Sequence, residues 1–178
     1  MDLPGILGPM EGFSPQIGVL VSMMAFIRAQ VMNCVSPMST RDLDFLIDPK
    51  ANSVGATLLH LAATETYYQL NTFEGVSWGN WPDNIKQKWD VPMNLGDAAR
   101  QTIKGNSLDY YLTMLHDTRE KTLAEFRKRD EQWLAAVDAQ WNWNNHAKWF
   151  HVAEHESNHN GQFKFLRSRF PGAKSAGE

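Results

Sequence analysis

Apolar residues along this chain recur at three- and four-residue steps, and four stretches keep that rhythm long enough to predict long helices. The first opens at Ser14-Pro15, a cap residue followed by a first-turn proline. It carries Ile17, Leu20, Met24, Ile27 and Val31 along one side until Ser36-Pro37 ends it. The second begins at Asn52 or Ser53 and stops before Gly75. Ala56, Leu59, His60, Ala63, Tyr67 and Leu70 mark one face of it, while Leu58, Leu61 and Ala62 define another. The third is capped by Asn106-Ser107, with Leu108, Tyr111, Leu112, Leu115, Thr122 and Phe126 inward. The fourth runs from about Asn144 to Arg169 and is closed by Phe170-Pro171-Gly172. No useful strand alternation and no internal repeat occurs, so the chain reads as all-α.

The connection from Gly75 to Gly105 is too long to be structureless, and Pro82–Trp89 and Leu95–Ile103 predict short helices within it. A connection of this length between helices two and three permits the crossover of an up-down-down-up four-helix bundle. Trp78, Trp81, Trp89, Trp133, Trp141 and Trp143 gather in this connection and in the one before helix four. They read as packing over the bundle ends, or, for Trp78, Trp81 and Tyr67, as walls of an aromatic pocket.

With 43% hydrophobic and 21% charged residues, residues 1–178 can bury one proper core as a single domain. The lone Cys34 cannot form an intramolecular bridge; near the end of an apolar helix it reads as a buried, inert thiol in a reducing cytoplasm. Met1–Gly5 lacks the basic start of a signal peptide. Ile17–Ile27 is interrupted by Arg28 well before the roughly 18 residues of a membrane span, which makes it a core helix. The net charge of −3 gives no basic footprint, and Arg119, Arg127, Lys128 and Arg129 read as a solvated helix face and end, so nucleic-acid binding is disfavoured.

Chemistry concentrates in the fourth helix. His151, His155 and His159 follow at four-residue intervals, the spacing that stacks imidazoles on one face and lets two converge on an ion. All three cannot share it, because eight residues rise about 12 Å. On an idealised wheel Val152, Phe163, Leu166 and Phe170 centre near His159, with Trp149 at the margin; His155 is about 45° away and His151 about 85°. The inward pair is therefore His155 and His159, with His151 flanking. Glu156 reads as a hydrogen-bond acceptor for a ligand imidazole, as a general base, or as a partly exposed carboxylate; Glu154 points to solvent. His60, on the edge of its stripe, is either a satisfied core histidine or a third ligand from another helix. His116 and His146 have no partner at ligand spacing and read as surface residues or as neighbours supporting a ligand.

The same residues carry a resemblance. Trp149-Phe150-His151-Val152, Glu154-His155-Glu156, His159, Gly161 and Gln162 resemble the last helix of the DinB-like (DinB/YfiT-type metalloenzyme) family. The likeness extends to the Asn52–His60 helix start, to Leu112–Leu123 with Arg119-Glu120 and Thr122, and to Asp130-Glu131-Gln132-Trp133-Leu134, and so covers most of the chain. It implies a four-helix bundle with a metal held by His60, His155 and His159. Asn160 departs from the family pattern, which often has Arg there.

A three-histidine set leaves coordination positions open and suits Zn²⁺, Ni²⁺ or Fe²⁺ better than Mg²⁺ or Ca²⁺. Protons compete for such ligands below about pH 6.5. The resemblance implies a metal-dependent enzyme activating a thiol or water, with thiol-dependent transferase chemistry foremost and a small-molecule substrate. The alternatives are a non-enzymatic metal- or ligand-binding module with a structural ion, and an oligomerising protein with no metal. It also implies a homodimer, consistent with Val19, Met23 and Phe26 on the outer side of helix one.

Overall fold

The computed structural model describes residues 5–173, so the reading of Met1–Gly5 falls almost wholly outside the described span. Four long helices form the bundle: α1 (Pro15–Val35), α3 (Val54–Phe73), α6 (Leu108–Phe126) and α8 (Asn145–Arg167). Between them lie α2 (Thr40–Leu43), α4 (Asp83–Asn94), α5 (Gly96–Thr102), α7 (Glu131–Ala135) and a two-residue hairpin, β1 (Val137–Asp138) with β2 (Trp143–Asn144). The fold is all-α, as the periodicity predicts. The small elements missing from that prediction are too short to show a period. They are set by local chemistry instead, as in the Ser39–Asp42 capping box of α2. The first crossover helix runs on to Asn94, with Pro92 inside its last turn.

Side chains cap most of the long helices as their sequences suggest. Ser53, Ser107 and Asn144 accept backbone N–H bonds from Ala56, Tyr110 and Ala147. Ser14 caps nothing within α1; Glu131 Oε1 accepts from the Gln16 N–H instead, at 3.0 Å. Directions follow from pairwise contacts. α1 and α8 are parallel, since Ile17 and Trp149 share a cluster at one end and Arg167 donates to the Cys34 carbonyl (3.2 Å) at the other. α3 and α6 are parallel: Gly55 lies against Tyr111, and the Gln69 amide donates to the Thr118 carbonyl (2.7 Å). α3 opposes α8, because His60 faces His155 while Thr72 accepts from the Trp149 indole (3.1 Å). The order is up-down-down-up.

α3 is buried nearly all round, because α4 covers the face that α6 and α8 leave. That accounts for its two apolar faces. α1 is long and apolar enough to cross a membrane, contrary to the shorter run counted from sequence; half of that stretch is buried in the bundle. On its outer side Met23 is exposed, while Val19 and Phe26 are partly buried.

The apolar core has two lobes. One holds Val31, Cys34, Leu59, Tyr111, Leu115 and Phe163; the other holds Ile17, Leu20, Met24, Phe126, Trp149 and Val152. Along α1, α6 and α8 a charged residue falls between the lobes, and α3 adds a fourth. The layer is Arg28, Glu65, Arg119 and Glu156, with side chains 14%, 1%, 9% and 3% exposed. Arg119 is thus buried and not on a solvated face. Counting it as polar was right, but its partners bring it inside.

Candidate metal centre

His60 comes from the second turn of α3, and His155 and His159 from successive turns of α8. The structure brings the three together, with one ligand nitrogen from each lying within 4.8 Å of the others. His155 Nε2 sits 3.2 Å from His60 Nε2 and 3.1 Å from His159 Nε2. Two nitrogens each about 2.0–2.1 Å from a tetrahedral ion stand roughly 3.3–3.4 Å apart, so this spacing is close to that of a ligand set.

The outer nitrogens settle which way the rings present their lone pairs. His60 Nδ1 lies 3.1 Å from the Pro92 carbonyl, which can only accept, so Nδ1 carries the proton and Nε2 is left unprotonated. That carbonyl is free because α4 ends at Asn94, where Leu95 takes φ 55°. The N–H of Gly96, four residues after Pro92, donates to Asn52 Oδ1 (3.2 Å) instead. His159 Nδ1 is 2.8 Å from Gln162 Oε1, which orients the second ring alike. His155 Nε2 then meets two lone pairs and can donate to only one of them. A cation among the three satisfies all, and the donor set fits a divalent transition metal.

Burial lowers the pKa of each histidine. His60 is depressed by desolvation and then by the charge of His159, against the Pro92 and Met93 backbone; His159 is depressed by desolvation. His155 is pulled down to about 3 by desolvation and by His159, His60 and His151. The cluster is therefore neutral at pH 7, the state in which imidazole ligates.

The remaining sequence candidates fall outside this set. His151 flanks it, its ring 5.8 Å from His155 and 5.9 Å from both Tyr68 and Trp143. Its Nδ1 is 3.3 Å from Glu154 Oε2, on a partly open surface. Glu156 makes no bond to an imidazole and is not a partly exposed carboxylate. It is clamped by Arg28 and Arg119, because the buried stripe runs Trp149, Val152, Glu156, Asn160, Phe163, beside the face of His155 and His159. Trp149 is central to that stripe and not marginal. The wheel drawn from apolar residues alone was rotated because two members of the true stripe are polar. His116 and His146 are exposed.

Tyr67 is not an open pocket wall; it is buried, stacks on Trp81 at 4.6 Å and donates to Asp90 (2.7 Å). Trp78 joins this packing at 5.1 Å from Trp81. Outside the histidines, the rings that flank His151 are instead Tyr68 and Trp143, the latter on the hairpin that Lys148 ties to α8 through Asp138 (2.6 Å). Sequence reasoning missed Pro92, and it met Gln162 only within the terminal family motif, without the bond that its i, i+3 spacing from His159 signals. A cavity of about 890 Å³ lies elsewhere, between the C-terminal ends of α1 and α8, lined by Cys34, Lys164 and Arg167 and by none of the three histidines.

No curated protein matches the chain. A family model described as mycothiol-S-transferase matches residues 19–172, a span that takes in all but the first turn of α1, the other three long helices and every histidine of the cluster. The chain therefore belongs to the mycothiol-S-transferase family, within the DinB/YfiT-like superfamily.

Proposed function

We propose that the protein is a divalent-metal-dependent S-transferase that holds one ion on His60, His155 and His159 and joins a low-molecular-weight thiol to an electrophilic carbon. Mycothiol, named in the family description, is the first thiol to test. The carrying observation is the convergence of three neutral imidazoles whose outer nitrogens are engaged, in a chain of a thiol-transferase family. When bound, Zn²⁺, Ni²⁺ or Fe²⁺ supplies Lewis acidity that favours the deprotonated form of a thiol at neutral pH.

The chain's own residues do the rest. The Pro92 carbonyl and Gln162 hold the rings in their ligating orientation. His151, beside the cluster and partly open to solvent, accepts the thiol proton, with Glu154 at 3.3 Å stabilising the charge it gains. The sulfur–carbon bond forms as the leaving group departs with its electron pair. Tyr68 and Trp143 give the electrophile an apolar wall. A sealed structural ion is the weaker reading, because all three ligating histidines keep part of their surface open.

The test is S-conjugate formation between monobromobimane and mycothiol, glutathione or coenzyme A, followed by mass spectrometry. Metal-loaded protein should exceed chelated protein, and His155→Ala should fall to the uncatalysed rate. No acceleration with any thiol, or a product formed with water alone, removes the transferase reading.

A further inference from the structure

Two helices supply the imidazoles, and the stretch of α8 that carries two of them lacks an apolar anchor. From Ala153 to Phe163, about three turns, Glu156 and Asn160 are the only buried side chains between those two residues. Asn160 Oδ1 has no hydrogen-bond partner among the described residues. Glu156 is held from both sides. Arg28 reaches it through Nε and, at 3.2 Å, through Nη2, and Arg119 Nη2 donates to it at 3.0 Å.

The two arginines are themselves fixed. Arg28 Nη1 donates to the Leu115 carbonyl (3.1 Å), and Arg119 grips Glu65 with two bonds of 2.8 and 3.1 Å. Thr122 adds a 2.6 Å bond to Glu65, which sits five residues after His60 on α3. One bonded network thus runs from the helix of His60 to the turn of His155.

We infer that the charge layer Arg28–Glu65–Arg119–Glu156 is a positioning device for the histidine cluster. By gripping Glu156 it sets the rotation of α8 at which His155 and His159 face His60. A rotation of about 10° would carry an imidazole nitrogen roughly 1 Å, several times the tolerance of about 0.2 Å on metal–ligand distances. An apolar contact is non-directional and permits such a rotation; ion pairs made by planar, forked donors resist it. Glu156 and its arginines act through the histidines and touch no reacting atom.

The inference rests on the metal-site reading above, and its test separates the two. Zinc affinity is measured by chelator competition, and the ligand field by Co²⁺ absorption, for wild type, Glu156→Gln, Arg28→Met, Arg28→Lys and Phe126→Leu. Phe126 lies in the lobe away from the cluster, so its variant reports stability loss alone. Glu156→Gln should lose about 10- to 100-fold in zinc affinity and change the Co²⁺ spectrum. Phe126→Leu should lower the melting temperature with affinity intact, and Arg28→Lys should recover part of what Arg28→Met loses. If Glu156→Gln does not fold, Arg28→Met, at the more exposed corner of the layer, is read in the same way.

A third readout needs no metal: the nuclear Overhauser contact between the His60 and His155 rings, present in the metal-free wild type, should vanish in Glu156→Gln. Unchanged affinity, spectrum and ring contact in the folded variant overturn the inference. So does affinity that tracks melting temperature across all variants. A wild type that binds no metal removes the metal reading instead, while the ring contact still decides the positioning role.

Discussion

Arg119→Met is the sharpest perturbation of the core. Methionine fills most of the space but removes three hydrogen bonds, two to Glu65 and one to Glu156, both of which stay buried. Arg28 remains as a partner, yet it reaches Glu65 only at 3.4 Å and already serves Glu156. Breaking a buried pair from one side costs about 3–5 kcal/mol, which for a chain of this size lowers Tm by roughly 6–20 °C. The pH dependence tests the cause. Burial alone would raise the Glu65 pKa, but Arg119, then Arg28 and Thr122, hold it below 4.5. That contribution is complete above the unfolded value and is lost as pH falls through the lower folded value. In Arg119→Met burial is opposed only by Arg28 and Thr122, so Glu65 protonates more readily and the penalty should shrink from pH 7 toward pH 4. Urea unfolding followed by circular dichroism at both pH values measures this. A loss under about 1 kcal/mol at pH 7, or one that does not shrink in acid, refutes the account.

The protein should bind about one transition metal per chain. Elemental analysis should show it lost in His60→Ala, His155→Ala and His159→Ala and kept in His151→Ala. Because burial lowers the pKa of His60, His155 and His159, that of His155 to about 3, protons should begin to displace the metal at a lower pH than unperturbed imidazoles, near about 6.5, would give; a chromophoric chelator titration distinguishes the two. Chelation should lower Tm without loss of helical dichroism, since neither apolar lobe contains a triad histidine. Gly55→Ala should cost about 1–3 kcal/mol, because its Cβ would lie 2.6 Å from Tyr111 Oη and force α3 from α6; thermal unfolding checks it.

The long helices were legible because their periodicity, caps and breakers agree, from Ser14-Pro15 through Phe170-Pro171-Gly172. His155 and His159 were legible by spacing, while His60 was a candidate from its stripe that family likeness singled out, since α3 is apolar on every side and its wheel has no unique face. The charge layer was not legible. Arg28, Glu65, Arg119 and Glu156 lie on four different helices, and no local pattern tells a buried arginine with distant partners from a solvated one. The faint signals were an acid in Ala62-Ala63-Thr64-Glu65-Thr66-Tyr67 and an arginine directly after an apolar run. The Pro92 contact could not be read either, because it depends on where α4 stops and not on any side chain.

That contact gives the crossover a role apart from spanning distance. The basicity of His60 depends on a carbonyl that belongs to the last turn of α4, and that carbonyl is free only while Leu95 keeps its left-handed turn and Asn52 holds the Gly96 N–H. Lengthening α4 by one residue, or replacing Leu95 with a β-branched valine that resists a positive φ, would move the acceptor without touching a histidine of the cluster. The segment between α3 and α6 can therefore tune the electron-donating strength of His60, the proposed ligand from α3, through a backbone atom.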